Sequence, residues 1–313
     1  MPALKRSPAF WKAKPLSAPK ACDQQIRIMS GTLYLLPNAV ASGDPAQAVP
    51  AALPAAALAR ARTIDRFFVE AAKTARAAIK AMGHPKPVAE LSIIEIGHDP
   101  DPAKIDEWLA PVAAGEDAAI LSESGCPGIA DPGAQIAARA HALGIRVSPL
   151  IGPSSLILSL MASGLDGQRF RFLGYLPIHE AERREAIRAA EAQSRASETQ
   201  IFIETPYRNA QMLAALIETL SPSTRLCVAT DVTGPNESIR TQTAADWRRA
   251  SEAERALPKL PTVFLLLAES DRSLRYASVN AARKGERKAE THRPAKSDHS
   301  RRGKSGSGRG RRP

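Results

Sequence analysis

Aromatic residues make up only 4% of the 313-residue chain, so stacking platforms for single-stranded nucleic acid are not built in quantity. The three cysteines, Cys22, Cys126 and Cys227, give neither a disulfide framework nor a zinc spacing. Six histidines are scattered with no pair at metal-ligand spacing, so no metal is expected. No apolar run approaches the ~20 residues needed to span a bilayer. The amino terminus carries Lys5, Arg6, Lys12, Lys14 and Lys20 among prolines with no hydrophobic stretch after them, which is not a secretory pattern. A cytoplasmic protein without a membrane partner is expected. Also missing are a G-x-G-x-x-G after the first strand, a P-loop, H-E-x-x-H and G-x-S-x-G, which removes the usual dinucleotide, nucleotide-triphosphate, zinc-protease and serine-hydrolase readings.

What the chain has is length for two ordinary domains, 44% hydrophobic residues, and a net charge of +11 that is unevenly placed. Asn280 to Pro313 holds 12 basic against 3 acidic residues, and Met1 to Met29 holds 6 against 1. The body between them is close to neutral. Residues 1–29 read as a disordered basic arm and residues 273–313 as a disordered basic tail, neither able to build a core. The tail is either an RNA-holding extension making sequence-independent phosphate contacts or a solubilising one.

Between the arms, strand patterns at Thr32–Leu36, Ile64–Val69, Leu91–Ile96, Ala118–Leu121 and Ile145–Val147 alternate with helical ones at Lys73–Met82, Ala103–Leu109 and Ala134–Leu143. This spacing argues an α/β fold with mostly parallel strands. Ala46–Ala59 is rich in alanine but cut by Pro50 and Pro54, and reads as a loop with a broken helix. A second set follows the Pro/Gly stretch 148–153. Its strands fall at Phe170–Leu173, Thr199–Ile203, Leu226–Thr230, Ser238–Thr241 and Thr262–Leu267, and its helices at Ser155–Ala162, Ala181–Ala192 and Asn209–Leu220. Two α/β domains, 30–150 and 151–272, with mixed, mostly parallel sheets and an interdomain cleft are expected.

The most informative segment is Ser122-Glu123-Ser124-Gly125-Cys126-Pro127-Gly128-Ile129-Ala130-Asp131-Pro132-Gly133, between a strand and a helix. Glycines let a ligand press against backbone and prolines fix the path, at the strand end where α/β sheets bind ligands. Gly152-Pro153-Ser154-Ser155 opens a helix. A serine there either caps free N–H groups or leaves them for an anion. Glu204, Thr205 and Arg208 cluster at the end of a buried strand, and Glu70 with Lys73 does so after another. Both sets are open to a solvated reading. Cys126 has no histidine nearby in sequence to activate it and does not read as a catalytic thiol.

Ser122 to Gly133 resembles the pattern S-D-A-G-T-P-x-I-x-D-P-G of the tetrapyrrole methylase superfamily. Gly31-Thr32-Leu33-Tyr34 is similar to its opening strand. Pro149 to Ser154 with Ala162-Ser163-Gly164-Leu165 is similar to P-x-P-G-P-[SC] and A-S-G-L. Phe172 to Pro177 resembles F-x-G-F-L-P, and Ile203 to Arg208 resembles Y-E-S-P-H-R, in the small-subunit ribosomal RNA methyltransferase branch.

The resemblance implies a two-domain homodimer that binds S-adenosyl-L-methionine in the cleft and methylates a nucleophile, in that branch a ribose 2′-hydroxyl of ribosomal RNA. It implies a cofactor cradle of Glu123, Gly125, Cys126, Pro127, Gly128 and Ile129, with Pro153, Ser154, Thr205, Pro261 and Thr262. It leaves Glu70 and Glu204 as candidate catalytic bases and Lys73 and Arg208 as candidate phosphate anchors. The chain departs from the branch at Glu123 for Asp, Cys126 for Thr, Pro37-Asn38-Ala39-Val40 for P-x-G-N, Glu70-Ala71-Ala72-Lys73 for E-D-T-R, and Ala229-Thr230-Asp231-Val232-Thr233 for A-R-E-L-T. The donor site keeps more of the pattern than the RNA site, so a tetrapyrrole or other small metabolite is the alternative substrate.

Overall fold

The computed structural model describes residues 30–269; both basic arms, and residues 270–272 of the expected second domain, lie outside the described residues. In the first half, β1 (Thr32–Leu36), β2 (Arg66–Val69), β3 (Ser92–Glu95), β4 (Ala118–Leu121) and β5 (Arg146–Pro149) form one sheet in the order β3-β2-β4-β1-β5. Every pairing in it is parallel. Its helices are α1 (Pro45–Ala52), α2 (Ala55–Ala61), α3 (Ala72–Ala81), α4 (Pro102–Ala113) and α5 (Gly133–Ala142).

The period of two along β4 divides the core. Ala119 and Leu121 join Leu36 and Phe67 under α1, α2 and α3, while Ala118 and Ile120 join Leu33 and Phe68 under α4 and α5. Both faces of the central strands are therefore buried. Full burial of each such Leu or Phe stabilises by about 1.5–3 kcal/mol.

The helix after β1 covers one face and the helix after β4 the other, although β1 and β4 are neighbours. Their carboxyl ends thus open a crevice where the winding reverses, which is where such sheets take ligands.

In the second half, β6 (Phe170–Tyr175), β7 (Thr199–Glu204), β8 (Arg225–Thr230), β9 (Ser238–Thr243) and β10 (Thr262–Leu267) pair in the order β6-β7-β10-β8-β9. Only β6–β7 is parallel here. Parallel neighbours still predominate over the two sheets together, as the α/β reading expected, but they concentrate in the first. On one face α7 (Glu180–Ser194), α8 (Asn209–Thr219) and α9 (Ala244–Arg249) close over Phe202, Phe264 and Trp247. The rings of Phe202 and Phe264, paired across strands, stack 5.6 Å apart. On the other face α6 (Ser155–Ser163) places Leu160 against Ile201, Val263 and Leu265.

The alanine-rich stretch after β1 differs from expectation. It forms two helices, α1 and α2, rather than a loop with a broken helix. Asp44 caps α1 by accepting from the Ala46 N–H at 2.9 Å, and Pro45 sits at the first helical position, where a missing N–H costs nothing. Pro54 starts α2 with extended backbone, so the proline ends one helix and opens the next.

Candidate functional site

A cleft of about 800 Å³ opens between the carboxyl ends of the first sheet and the second half. The segment after β4 forms its floor. Gly125 has φ +71°, and a Cβ there would meet Val40 Cγ1 at 3.3 Å and the Pro153 carbonyl at 3.5 Å. The left-handed backbone favours glycine there, and an added Cβ would press on Val40.

Ala130, also left-handed at φ +55°, turns the chain so that Asp131 Oδ1 accepts from the N–H groups of Gly128 at 3.0 Å and Gly133 at 2.7 Å. A non-glycine residue in that region costs roughly 1–2 kcal/mol, which the Asp131 hydrogen bonds offset. Asp131 Oδ2 is buried with no hydrogen-bond donor aimed at it in this arrangement.

Asn38, just after β1, locks the floor in place. Its backbone N–H donates to the Gly125 carbonyl at 2.9 Å, and its buried side-chain amide donates to the carbonyls of Ser122 and Glu123, both at 3.1 Å. In sequence Asn38 stands out only as a departure from the family's P-x-G-N pattern. An asparagine directly after the first strand and its proline was the available signal.

Ten of the expected residues line the cleft: Glu70, Glu123, Gly125, Cys126, Ile129, Ser154, Glu204, Thr205, Pro261 and Thr262. Pro127, Gly128 and Pro153 do not line it; the Pro153 carbonyl accepts from Cys126 Sγ at 3.3 Å. Burial pushes the Cys126 thiol up, so it stays protonated and donates. Ser154 occupies the N-cap of α6 with extended backbone but makes no capping hydrogen bond, so the first turn of that helix meets the cleft without a side-chain cap. Thr262 is fixed by Asn209, whose amide donates to Thr262 Oγ1 at 3.0 Å and to the Leu260 carbonyl at 2.8 Å. Asn209 was not singled out in the sequence.

The charged candidates separate. Arg208 donates to Glu204 Oε1 through Nη2 at 2.6 Å and Nε at 3.0 Å, and the Thr205 N–H donates to the same oxygen at 2.6 Å. These two residues therefore engage each other, and Arg208 does not line the cleft. Lys73 is exposed on α3 and also lies outside it.

Glu70 lies in the cleft with its side chain 13% exposed, beside Asp131, Glu123 and His98. Burial first, then the Asp131 and Glu123 carboxylates, push its carboxyl up to about 7, against the opposing hydrogen bond with His98. His98, after β3, lies 3.0 Å from Glu70 Oε2 through Nδ1 and was missed in the sequence because its partner comes from another strand.

A family model described as Tetrapyrrole (Corrin/Porphyrin) Methylases matches residues 43–247. The chain belongs to the tetrapyrrole methylase family. Among its relatives, the ribosomal RNA small subunit methyltransferase I of Pseudomonas aeruginosa is 37% identical over 143 residues, 45% of this chain and 50% of that protein. The protein of the same name from Xylella fastidiosa is 32% identical over 194 residues, 59% of this chain and 68% of that one. The chain spans about half the length of the first curated relatives it matches.

Among solved structures, a conserved hypothetical protein from Aeropyrum pernix K1 shares the fold with TM-score 0.55 at 16% identity, over 77% of this chain and 86% of that one. The methyltransferase CobJ shares it with TM-score 0.50 at 18% identity, over 76% and 94%. The tetrapyrrole methylase fold is thus shared well below the level at which sequence identity is informative. Among the described residues, no cluster of three or more His, Cys, Asp or Glu is placed to hold a metal, and no helix is long and apolar enough to cross a membrane.

Proposed function

We propose that this tetrapyrrole methylase transfers a methyl group from S-adenosyl-L-methionine to small-subunit ribosomal RNA, at a ribose 2′-hydroxyl. The observation that carries the reading is the cleft itself: a glycine-floored crevice at the winding reversal with one carboxyl group poised near neutrality. The names of the relatives support RNA over a tetrapyrrole or other metabolite as acceptor.

S-adenosyl-L-methionine, when bound, supplies an electrophilic methyl on a sulfonium sulfur. The residues present fit such a group. Gly125 lines the cleft with left-handed backbone, so the chain turns there with no side chain of its own. Ile129, half exposed in the cleft, offers apolar surface. We assign the holding role to Glu123, Gly125, Cys126, Pro127, Gly128 and Ile129 with Pro153, Ser154, Thr205, Pro261 and Thr262.

Glu70 is the base that takes the hydroxyl proton, because a group titrating near 7 balances readiness against driving force. Glu204, engaged by Arg208 and Thr205, positions the strand end rather than moving a proton. We assign Lys73, exposed on α3, to contacts with RNA phosphates, and the basic tail to further sequence-independent ones. We further propose a cytoplasmic homodimer, as the family resemblance implies.

The test is transfer of tritiated methyl from S-adenosyl-L-methionine to small subunits from a strain lacking this gene, followed by mapping of the label. Label at one ribose of the small-subunit RNA is expected. Label in a tetrapyrrole extract and none in RNA overturns the substrate assignment.

A further inference from the structure

Glu70 sits at the back of the cleft, and a proton it receives needs a way out. Three titratable groups face it: Asp131 and Glu123 from the segment after β4, and His98 from the segment after β3. Two of these are acids already held by hydrogen bonds. Asp131 is tied by Gly128 and Gly133, and Glu123 accepts from Thr74 Oγ1 at 2.8 Å. Glu95, at the end of β3, is taken by the Ala72 N–H. His98 differs. Nδ1 lies 3.0 Å from Glu70 Oε2, and its side chain is 86% exposed while that of Glu70 is 13% exposed. The pair therefore spans the boundary between cleft and solvent.

We propose that His98 is a proton-relay residue that carries the proton taken up by Glu70 out to bulk water, a role that rests on the methyltransferase reading above. The steps balance as follows. The acceptor O–H bond breaks as an O–H bond forms on Glu70. That bond then breaks as an N–H bond forms at Nδ1, giving imidazolium. The imidazolium loses a proton to water, leaving Glu70 ionised and the ring neutral. Imidazole suits this step because it is the side chain that gains and loses a proton at working pH.

The test has two parts, one independent of turnover. Histidine-selective NMR of the full chain follows the titration of His98 in wild type and in Glu70→Gln. The His98 titration curve is expected to change when its carboxylate partner is lost. An unchanged curve overturns the relay. In the methyl-transfer assay, His98→Ala is expected to lower kcat about tenfold with donor affinity unchanged, and added imidazole to restore part of the loss. Unchanged kcat, or a loss that imidazole does not relieve, also overturns it. Should wild type label no RNA while the NMR coupling persists, the substrate assignment fails and the Glu70–His98 pair stands.

Discussion

Asp231 Oδ1 accepts from the Ser42 N–H at 2.8 Å across 189 residues of sequence, joining the loop after β1 to the turn after β8. Its second oxygen accepts from the Asn236 N–H at 2.9 Å, and its own backbone is left-handed at φ +49°. Burial alone would raise this carboxyl, but the Ser42 and Asn236 hydrogen bonds outweigh it and hold it below the ordinary aspartate range. The tie therefore persists through neutral pH and is lost only in strong acid, as pH falls through that lowered value. Asp231→Ala is expected to cost about 2–3 kcal/mol in urea unfolding and to speed amide exchange at Ser42. Asp231→Asn, which tolerates the left-handed backbone, should cost less. Equal stability of both variants and wild type would rule out the tie.

Asn38 makes a second, independent prediction. Asn38→Ala leaves the buried Ser122 carbonyl without its side-chain donor and removes the donor to the Glu123 carbonyl, at a cost of about 1–3 kcal/mol. The floor of the cleft then loosens, and affinity for S-adenosyl-L-methionine should fall roughly tenfold, equivalent to about 1.4 kcal/mol. Calorimetry reads both effects. Donor affinity that survives while stability drops would confine Asn38 to a structural role.

Much of the fold was legible from period and punctuation. The four buried residues of β4 are bounded by turn residues, and β10 reads as a continuous apolar run because both its faces are covered, Phe264 facing one core and Leu265 the other. The prolines misled at 45–61, because Pro50 and Pro54 do not break a helix when one lies in a short helix already capped by Asp44 and the other opens the next. In the site, residues adjacent in sequence were readable, as along Ser122–Gly133. Those brought together by sheet order were not. Asn38 reaches Ser122 only because β1 and β4 are neighbours, and His98 reaches Glu70 only because β3 lies beside β2. The i,i+4 pairing of Glu204 with Arg208 was near at hand, but nothing in the spacing shows that the arginine turns back on the acid instead of outward.

Glu70→Gln separates stability from chemistry. The carboxyl rises from about 4.5 unfolded to about 7 folded, so the native state holds a proton that the unfolded state has lost between these values. Wild-type stability therefore falls as pH rises from about 4.5 to 7, whereas the neutral amide carries no such penalty. At pH 8 the variant should be more stable by roughly 1–2 kcal/mol, the difference vanishing near pH 4. Its turnover should fall about a hundredfold or more with donor binding retained. A parallel pH dependence of melting temperature in the two proteins would refute the raised carboxyl.

The account rests on the donor lying against the backbone around Gly125. The most direct measurement is isothermal titration of S-adenosyl-L-methionine into the full chain and into Gly125→Ala. The alanine must hold φ near +71° and its methyl presses on Val40 Cγ1, costing about 1–2 kcal/mol locally and disturbing the floor. One donor site per chain in the wild type, with affinity reduced at least tenfold in the variant and the fold retained by circular dichroism, is the predicted result. No heat of binding in the wild type, or the same affinity in both proteins, would contradict it.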